Sequence, residues 1–201
     1  MAQYKKEEIQ TIILQSAEEL FAKKGYRNTT IADIAKNAGI SVGNIYRYYK
    51  GKEQILEDVL PVQFVEELSR STHDKLMTGK TDSIYKQSQN TDFKKVSEEF
   101  QRQLILNRYR MCILYRYPEG TPYENVQQTM LNKLVEFVLS QFSIERGVHE
   151  EKKELLLVIY EGYIQMTLNI LMMDWEEEKI LSALEELNAY HVRGLGIILD
   201  L

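Results

Sequence analysis

The sequence predicts an all-α protein, with a small N-terminal three-helix unit followed by a larger C-terminal helical bundle. Two observations carry that reading. Turn residues are scarce: the 201 residues include three prolines, Pro61, Pro118 and Pro122, and ten glycines. A chain of many short strands needs more of both. Apolar residues, in turn, recur at spacings of three and four, the period of a helix buried along one side. At 44% hydrophobic and 27% charged residues, the composition is that of an ordinary globular chain and excludes a collagen-like or disordered one.

The first predicted helix runs from Tyr4 to Lys24, with Ile9, Ile12, Ile13, Ala17, Leu20 and Phe21 as its apolar stripe. Gly25 ends it, and Lys23 and Lys24 suit the negative end of the helix dipole. Thr30 caps a second helix, with Asp33 as the acidic partner of a capping box. Gly39 breaks this helix, and Ser41 caps a third from Val42 to about Tyr49. A fourth restarts at Glu53 with Ile55, Leu56, Val59 and Leu60 apolar, and Pro61 is expected to bend it. Residues 78–91 are polar and aperiodic and read as a linker.

A stripe resumes from Phe93 through Val96, Phe100, Leu104, Met111 and Leu114 to the breaker Tyr117-Pro118-Glu119-Gly120. Thr121 is expected to cap the next helix, with Pro122 at its first position, running to about Phe142. Residues 144–148 form a junction. The segment from Glu150 to Met173 is apolar nearly all round, which calls for two packing partners: the chain's own core and a second subunit. A last helix starts at Asp174 with the stripe Ile180, Leu184, Leu187, His191 and Leu195. Gly162, Gly194 and Gly196 are unusual inside helices, and close helix approach at a dimer seam or fraying of the C-terminus would account for them.

Charge is distributed unevenly. The whole chain carries −5, yet residues 1–52 hold nine Lys/Arg against five Asp/Glu, a net +4, and the remainder carries −9. A basic head on an acidic body points to a polyanion partner for the head. The single cysteine, Cys112, forms no internal disulfide and fits a reducing compartment. The N-terminus lacks the pattern of a secretory signal, and the longest apolar run, Leu155–Tyr160, is too short to cross a bilayer. A cytoplasmic location is expected.

The segment Thr30–Lys52 carries the chemistry. Two short helices joined at Gly39, held together by Ile31, Ile34, Ala35, Ile40 and Ile45, make a helix-turn-helix, whose second helix enters the DNA major groove. Tyr46, Tyr48 and Lys52 can donate to phosphate oxygens. Asn44 and Arg47 can read base edges, and Gly43 lets the backbone come close. Thr30 stands at a helix N-terminus, where backbone amides suit phosphate. The expected DNA-contacting set is Thr30, Ser41, Val42, Gly43, Asn44, Tyr46, Arg47, Tyr48 and Lys52.

Here the sequence resembles the N-terminal domain of the TetR family of transcriptional regulators. The matching residues are Phe21, Gly25-Tyr26, Thr29-Thr30-Ile31, Ile34-Ala35, Ala38-Gly39-Ile40-Ser41, Gly43-Asn44-Ile45-Tyr46, Tyr48-Tyr49 and Lys52-Glu53 with Ile55-Leu56. Asn44 stands where Thr is frequent, Tyr49 where Phe is frequent, and Gly51 where a Ser or Asn cap is usual. The resemblance implies double-stranded DNA as partner, a homodimer on a near-palindromic operator, and a repressor released by a small-molecule effector. It also implies that effector binding swings helix 4 and spreads the two heads. The division it implies is residues 1–52 for DNA binding and 53–201 for effector binding and dimerisation. An alternative remains: a DNA-binding dimer without a small ligand, whose C-terminal part is a protein-docking scaffold.

Candidate effector-binding residues are Tyr163, Met166 and Asn169, taken to share one helix face, joined more weakly by Tyr123 and Cys112. The arginines Arg102, Arg108, Arg110 and Arg116 read as a solvated face. His73, His149 and His191 lack metal-ligand spacing. No nucleophile–base pair or glycine-rich phosphate loop is present, so neither catalysis, a cofactor nor a metal is expected.

Overall fold

A computed structural model describes residues 2–78, 90–146 and 152–199. Among them are ten helices and no strand: α1 (Ala2–Lys24), α2 (Ile31–Asn37), α3 (Val42–Ile45), α4 (Lys52–Val59), α5 (Val62–Thr78), α6 (Thr91–Leu106), α7 (Arg108–Tyr115), α8 (Val126–Arg146), α9 (Lys153–Leu171) and α10 (Glu177–Ile198). They divide into two compact units. The first takes residues 1–67 and 109–125, the second 68–108 and 126–201. The boundary therefore passes through α5 and at the start of α7, and the segment 109–125 returns to the N-terminal unit.

In the N-terminal unit α1 packs on α2 and α4, and α2 packs on α3. Ile13, Ala17, Phe21, Ile34, Ile45 and Ile55 are fully buried, the isoleucines and Phe21 each contributing about 1.5–3 kcal/mol by leaving water. Phe21 and Tyr26 meet edge-to-face at 5.2 Å between ring centroids. Gly25 closes α1 at φ 86°, a left-handed conformation open to glycine. Helix α7 buries five successive residues, Met111 to Tyr115.

In the C-terminal unit α9 packs on α8 and α10, and α10 packs on α6. The core cluster joins Leu131, Val135 and Val138 of α8, Leu156 and Tyr160 of α9, and Leu195 and Leu199 at the end of α10.

The boundaries depart from the sequence reading where polar side chains take over the backbone. The stripe expected from Phe93 to Leu114 is two helices. Asn107 caps α6 by returning its side-chain amide to the Gln103 carbonyl at 3.0 Å. The helix expected at Thr121 begins at Val126 instead. Thr121 spends its hydroxyl on a turn, donating to the Pro118 carbonyl at 2.6 Å and accepting from the Tyr123 amide at 3.1 Å. Helix α10 starts three residues later than Asp174, with Glu176 as its N-cap and no side-chain cap bond. Most of the expected linker, residues 79–89, lies outside the described residues, as do residues 147–148 of the expected junction and His149.

Candidate nucleic-acid interface

The helix-turn-helix is set by three small devices. Thr30 and Asp33 form the expected capping box: the Asp33 amide donates to Thr30 Oγ1 at 3.1 Å and the Thr30 amide to Asp33 Oδ2 at 2.9 Å. Gly39 turns the chain at φ 67°, and the Ile40 amide donates to the Ala35 carbonyl at 3.0 Å. Ser41 Oγ then accepts from the Asn44 amide at 3.2 Å and starts α3. The helix expected from Val42 to Tyr49 is shorter, with α-helical geometry over Val42–Ile45 and turns through Tyr48.

Side chains around α3 divide cleanly. Ile45 and Tyr49 are buried at 0% and 2% exposure and fasten the element to the core. Val42, Gly43, Tyr46 and Arg47 are exposed, Tyr46 at 56%, and Asn44 and Tyr48 are half-buried. A Cβ built on Gly43 meets nothing within 4 Å, so the backbone there is open to a close partner. The surface thus offers a guanidinium, phenol groups and an amide around one exposed stretch of backbone. That combination can donate to phosphates and reach base edges.

Three of the expected contacts have internal duties. Lys52 turns its ammonium inward, donating to the carbonyls of Tyr26 and Thr29 at 2.7 and 2.8 Å and lying 4.2 Å from the Tyr26 ring centroid. It ties the start of α4 to the α1–α2 connection rather than standing ready for a phosphate. Thr30 is engaged by Asp33, whose carboxyl is held at about 2 by the Thr30 amide and hydroxyl and by Lys24 3.2 Å away. The start of α2 already carries an anion, so a phosphate there would meet like charge. Ser41 is committed to the α3 cap.

The effector candidates fall in both units. Cys112 and Tyr123 lie in the N-terminal unit. Cys112 is fully buried, and burial pushes its thiol up to about 11. The Tyr123 hydroxyl donates to the Leu60 carbonyl at 3.0 Å, a strut to the end of α4. Tyr163, Met166 and Asn169 lie in the C-terminal unit but do not share a face. At 3.6 residues per turn Asn169 stands about 120° round α9 from Tyr163. Tyr163 is half-buried against His191, while Met166 and Asn169 are exposed.

Arg110 also departs from expectation. It is half-buried, 3.6 Å from Glu18 and 5.2 Å from the Phe64 ring centroid. Burial raises the Glu18 carboxyl, and Arg110 counters that in part. Sequence reasoning missed Lys75 and Ser97, which are half-buried in the C-terminal unit. The available signal was a lysine in phase with the inward-facing Phe64, Leu68 and Thr72 of α5.

A capped helix pair that buries one side of its second helix and exposes a basic, aromatic other side defines a helix-turn-helix DNA-binding protein. Residues 13–59 match the family described as bacterial regulatory proteins, tetR family. The chain is similar to the probable HTH-type transcriptional regulator YttP of Bacillus subtilis, at 29% identity over 171 residues, covering 85% of this chain and 78% of that one. It is also similar to the HTH-type transcriptional repressor KstR2 of Mycolicibacterium smegmatis, at 48% identity over 48 residues, 24% of this chain and 23% of that one. In fold it is similar to a TetR-family transcriptional regulator from Bordetella parapertussis, with a TM-score of 0.58 over 89% of this chain and 91% of that one at 19% identity. Residues 13–59 thus form a TetR-type N-terminal domain, the DNA-binding domain of transcriptional regulators.

Proposed function

We propose that the protein is a repressor that holds a near-palindromic operator as a homodimer and leaves it when a small molecule binds its C-terminal part. The observation that carries this is the outward display of Tyr46 and Arg47 from an element fastened by Ile45 and Tyr49. In this reading residues 1–52 hold the DNA contacts, and effector and dimer functions fall within 53–201. Val42, Gly43, Asn44, Tyr46, Arg47 and Tyr48 touch DNA, whereas Thr30, Ser41 and Lys52 hold the element in shape.

A dimer is supported by apolar surface on the last two helices. Leu155, Val158 and Met166 of α9 and Tyr190 and Ile197 of α10 are exposed, Ile197 at 80%. Gly162 lies on the first of these stripes and Gly194 on the second. A Cβ on either meets nothing within 4 Å. Such a surface suits a second copy of the chain, since apolar side chains gain by leaving water and glycines permit close approach.

The test is a gel-shift titration of a selected operator against random duplex. Arg47→Ala is expected to weaken operator binding about 10–100-fold, the worth of a bidentate base contact, with little effect on random duplex. Equal loss on both DNAs would remove the assignment of Arg47 to base reading.

A further inference from the structure

The C-terminal unit contains polar groups that its own described residues leave unmatched. His191 of α10 is nine-tenths buried. Tyr163 stacks on its ring at 4.1 Å between centroids, and Tyr160 meets it edge-on at 4.8 Å. Its Nε2 is buried with no hydrogen-bond partner, and so is Ser97 Oγ of α6. Lys75 of α5 carries its ammonium 4.8 Å from the ring centroid of Phe100, which stands one turn along α6 from Ser97. No carboxylate among the described residues pairs with Lys75: burial alone acts on its ammonium, pushing it down to about 8. Lys75 in turn acts on His191, whose imidazole is driven down to about 4 by burial first and by that lysine second. Helices α6 and α10, which carry Ser97 and His191, pack on each other.

Buried polar groups in a settled core find partners. Here an imidazole nitrogen and a hydroxyl lack them, and a half-buried ammonium from a third helix, with no carboxylate partner among the described residues, acts on the same imidazole. Near neutral pH the lysine is charged and the histidine neutral, so the group carries one positive charge and several donors. One charge matches a monoanion. A carboxylate, which only accepts hydrogen bonds and has two oxygens, meets that donor set. A phosphate dianion would call for a second cation. The rings of Phe100, Tyr160 and Tyr163, which flank Lys75 and His191, make the surroundings of that carboxylate suited to an apolar body.

We propose that Lys75, His191 and Ser97 are the polar end of a ligand site in the C-terminal unit that takes a small monocarboxylate with an apolar body, the carboxylate held by Lys75 Nζ and His191 Nε2. This rests on the reading that the C-terminal part binds an effector.

The test uses the full chain, thermal denaturation and calorimetric titration, with octanoate and phenylacetate as probes beside their amides. At least one acid is expected to raise the unfolding midpoint with concentration and to bind tenfold or more tightly than its amide. Lys75→Met is expected to abolish that preference, and His191→Phe to weaken acid binding about fivefold. Lys75→Met without ligand is expected to unfold at a midpoint no lower than the parent's, because it removes an unmatched cation. Any of four results would overturn the site: neither acid binds, acid and amide bind alike, Lys75→Met keeps the preference, or ligand-free Lys75→Met unfolds earlier. Operator release is followed in parallel. An acid that binds through Lys75 yet leaves the operator complex intact supports the site and removes the effector reading. A compound that releases the operator equally well from Lys75→Met does the reverse.

Discussion

Lys52 and Arg47 are both basic residues of the same short segment, and the structure gives them opposite employment. The Lys52 ammonium ties two backbone carbonyls together across the α1–α2 connection, whereas Arg47 is exposed. Lys52→Met should therefore lower the unfolding free energy by about 1.5–3 kcal/mol, the range for hydrogen bonds to a charged group, as read from urea midpoints. Arg47→Ala should leave those midpoints unchanged. If Lys52→Met unfolds like the parent and merely flattens the salt dependence of DNA binding, the lysine is a phosphate contact after all. Asp33 offers a pH signature. Its folded carboxyl lies at about 2, below its ordinary 3.8. Its contribution is fully present above about pH 4 and is lost as pH falls through 2. Asp33→Asn should flatten the stability-against-pH curve between pH 4 and 2, and an unchanged curve would mean the capping box does nothing for folding. Residue type and spacing made Thr30, Gly39, Ser41 and Arg47 legible in the sequence. The inward turn of Lys52 was not, because its partners are backbone carbonyls 23 and 26 positions away, and carbonyls leave no mark in a sequence.

At the scale of elements, caps and glycines decided most of the boundaries. Gly25 and Gly39 end α1 and α2 at positive φ, where a side chain costs about 1–2 kcal/mol. Gly39→Ala should destabilise by about that amount, measured by urea unfolding, although nothing lies within 4 Å of the added methyl. The cost would come from backbone conformation alone, and a neutral substitution would show that the turn relaxes. Ser41→Ala should cost about 1 kcal/mol through loss of the α3 cap, with a larger fraction of operator affinity lost than stability, since α3 is the presenting element. The helical period predicted α1, α2, α4 and α9 closely. It ran through Asn107 and began α8 too early at Thr121. In both places a side chain that also suits a helix end or turn bonds to nearby backbone instead. A periodic stripe reports which residues are buried; it does not report where the helix axis changes direction.

For the whole molecule, the charge asymmetry along the chain was the first sign of division of labour: net +4 over residues 1–52 and −9 beyond. The two units observed do not follow chain order, because residues 109–125 pack with the N-terminal unit. That return was illegible, since Cys112–Tyr115 is an apolar run that any core would accept. The same limit applies to the effector candidates on α9: an all-round apolar helix does not say which side meets its own core. On the proposed dimer, Ile197→Glu or Tyr190→Glu should yield monomers in light scattering and sharply weaken operator binding while the heads remain folded. Variants that stay dimeric would place the second copy elsewhere. The central claim is that two copies of the exposed Val42–Tyr48 surface read one duplex. Selection of bound DNA from a random pool tests it most directly. The expected product is an inverted pair of half-sites with centres roughly 34–36 Å apart or a multiple of that, no longer enriched by Arg47→Ala. A single unsymmetric site, or the same enrichment by Arg47→Ala, would contradict it.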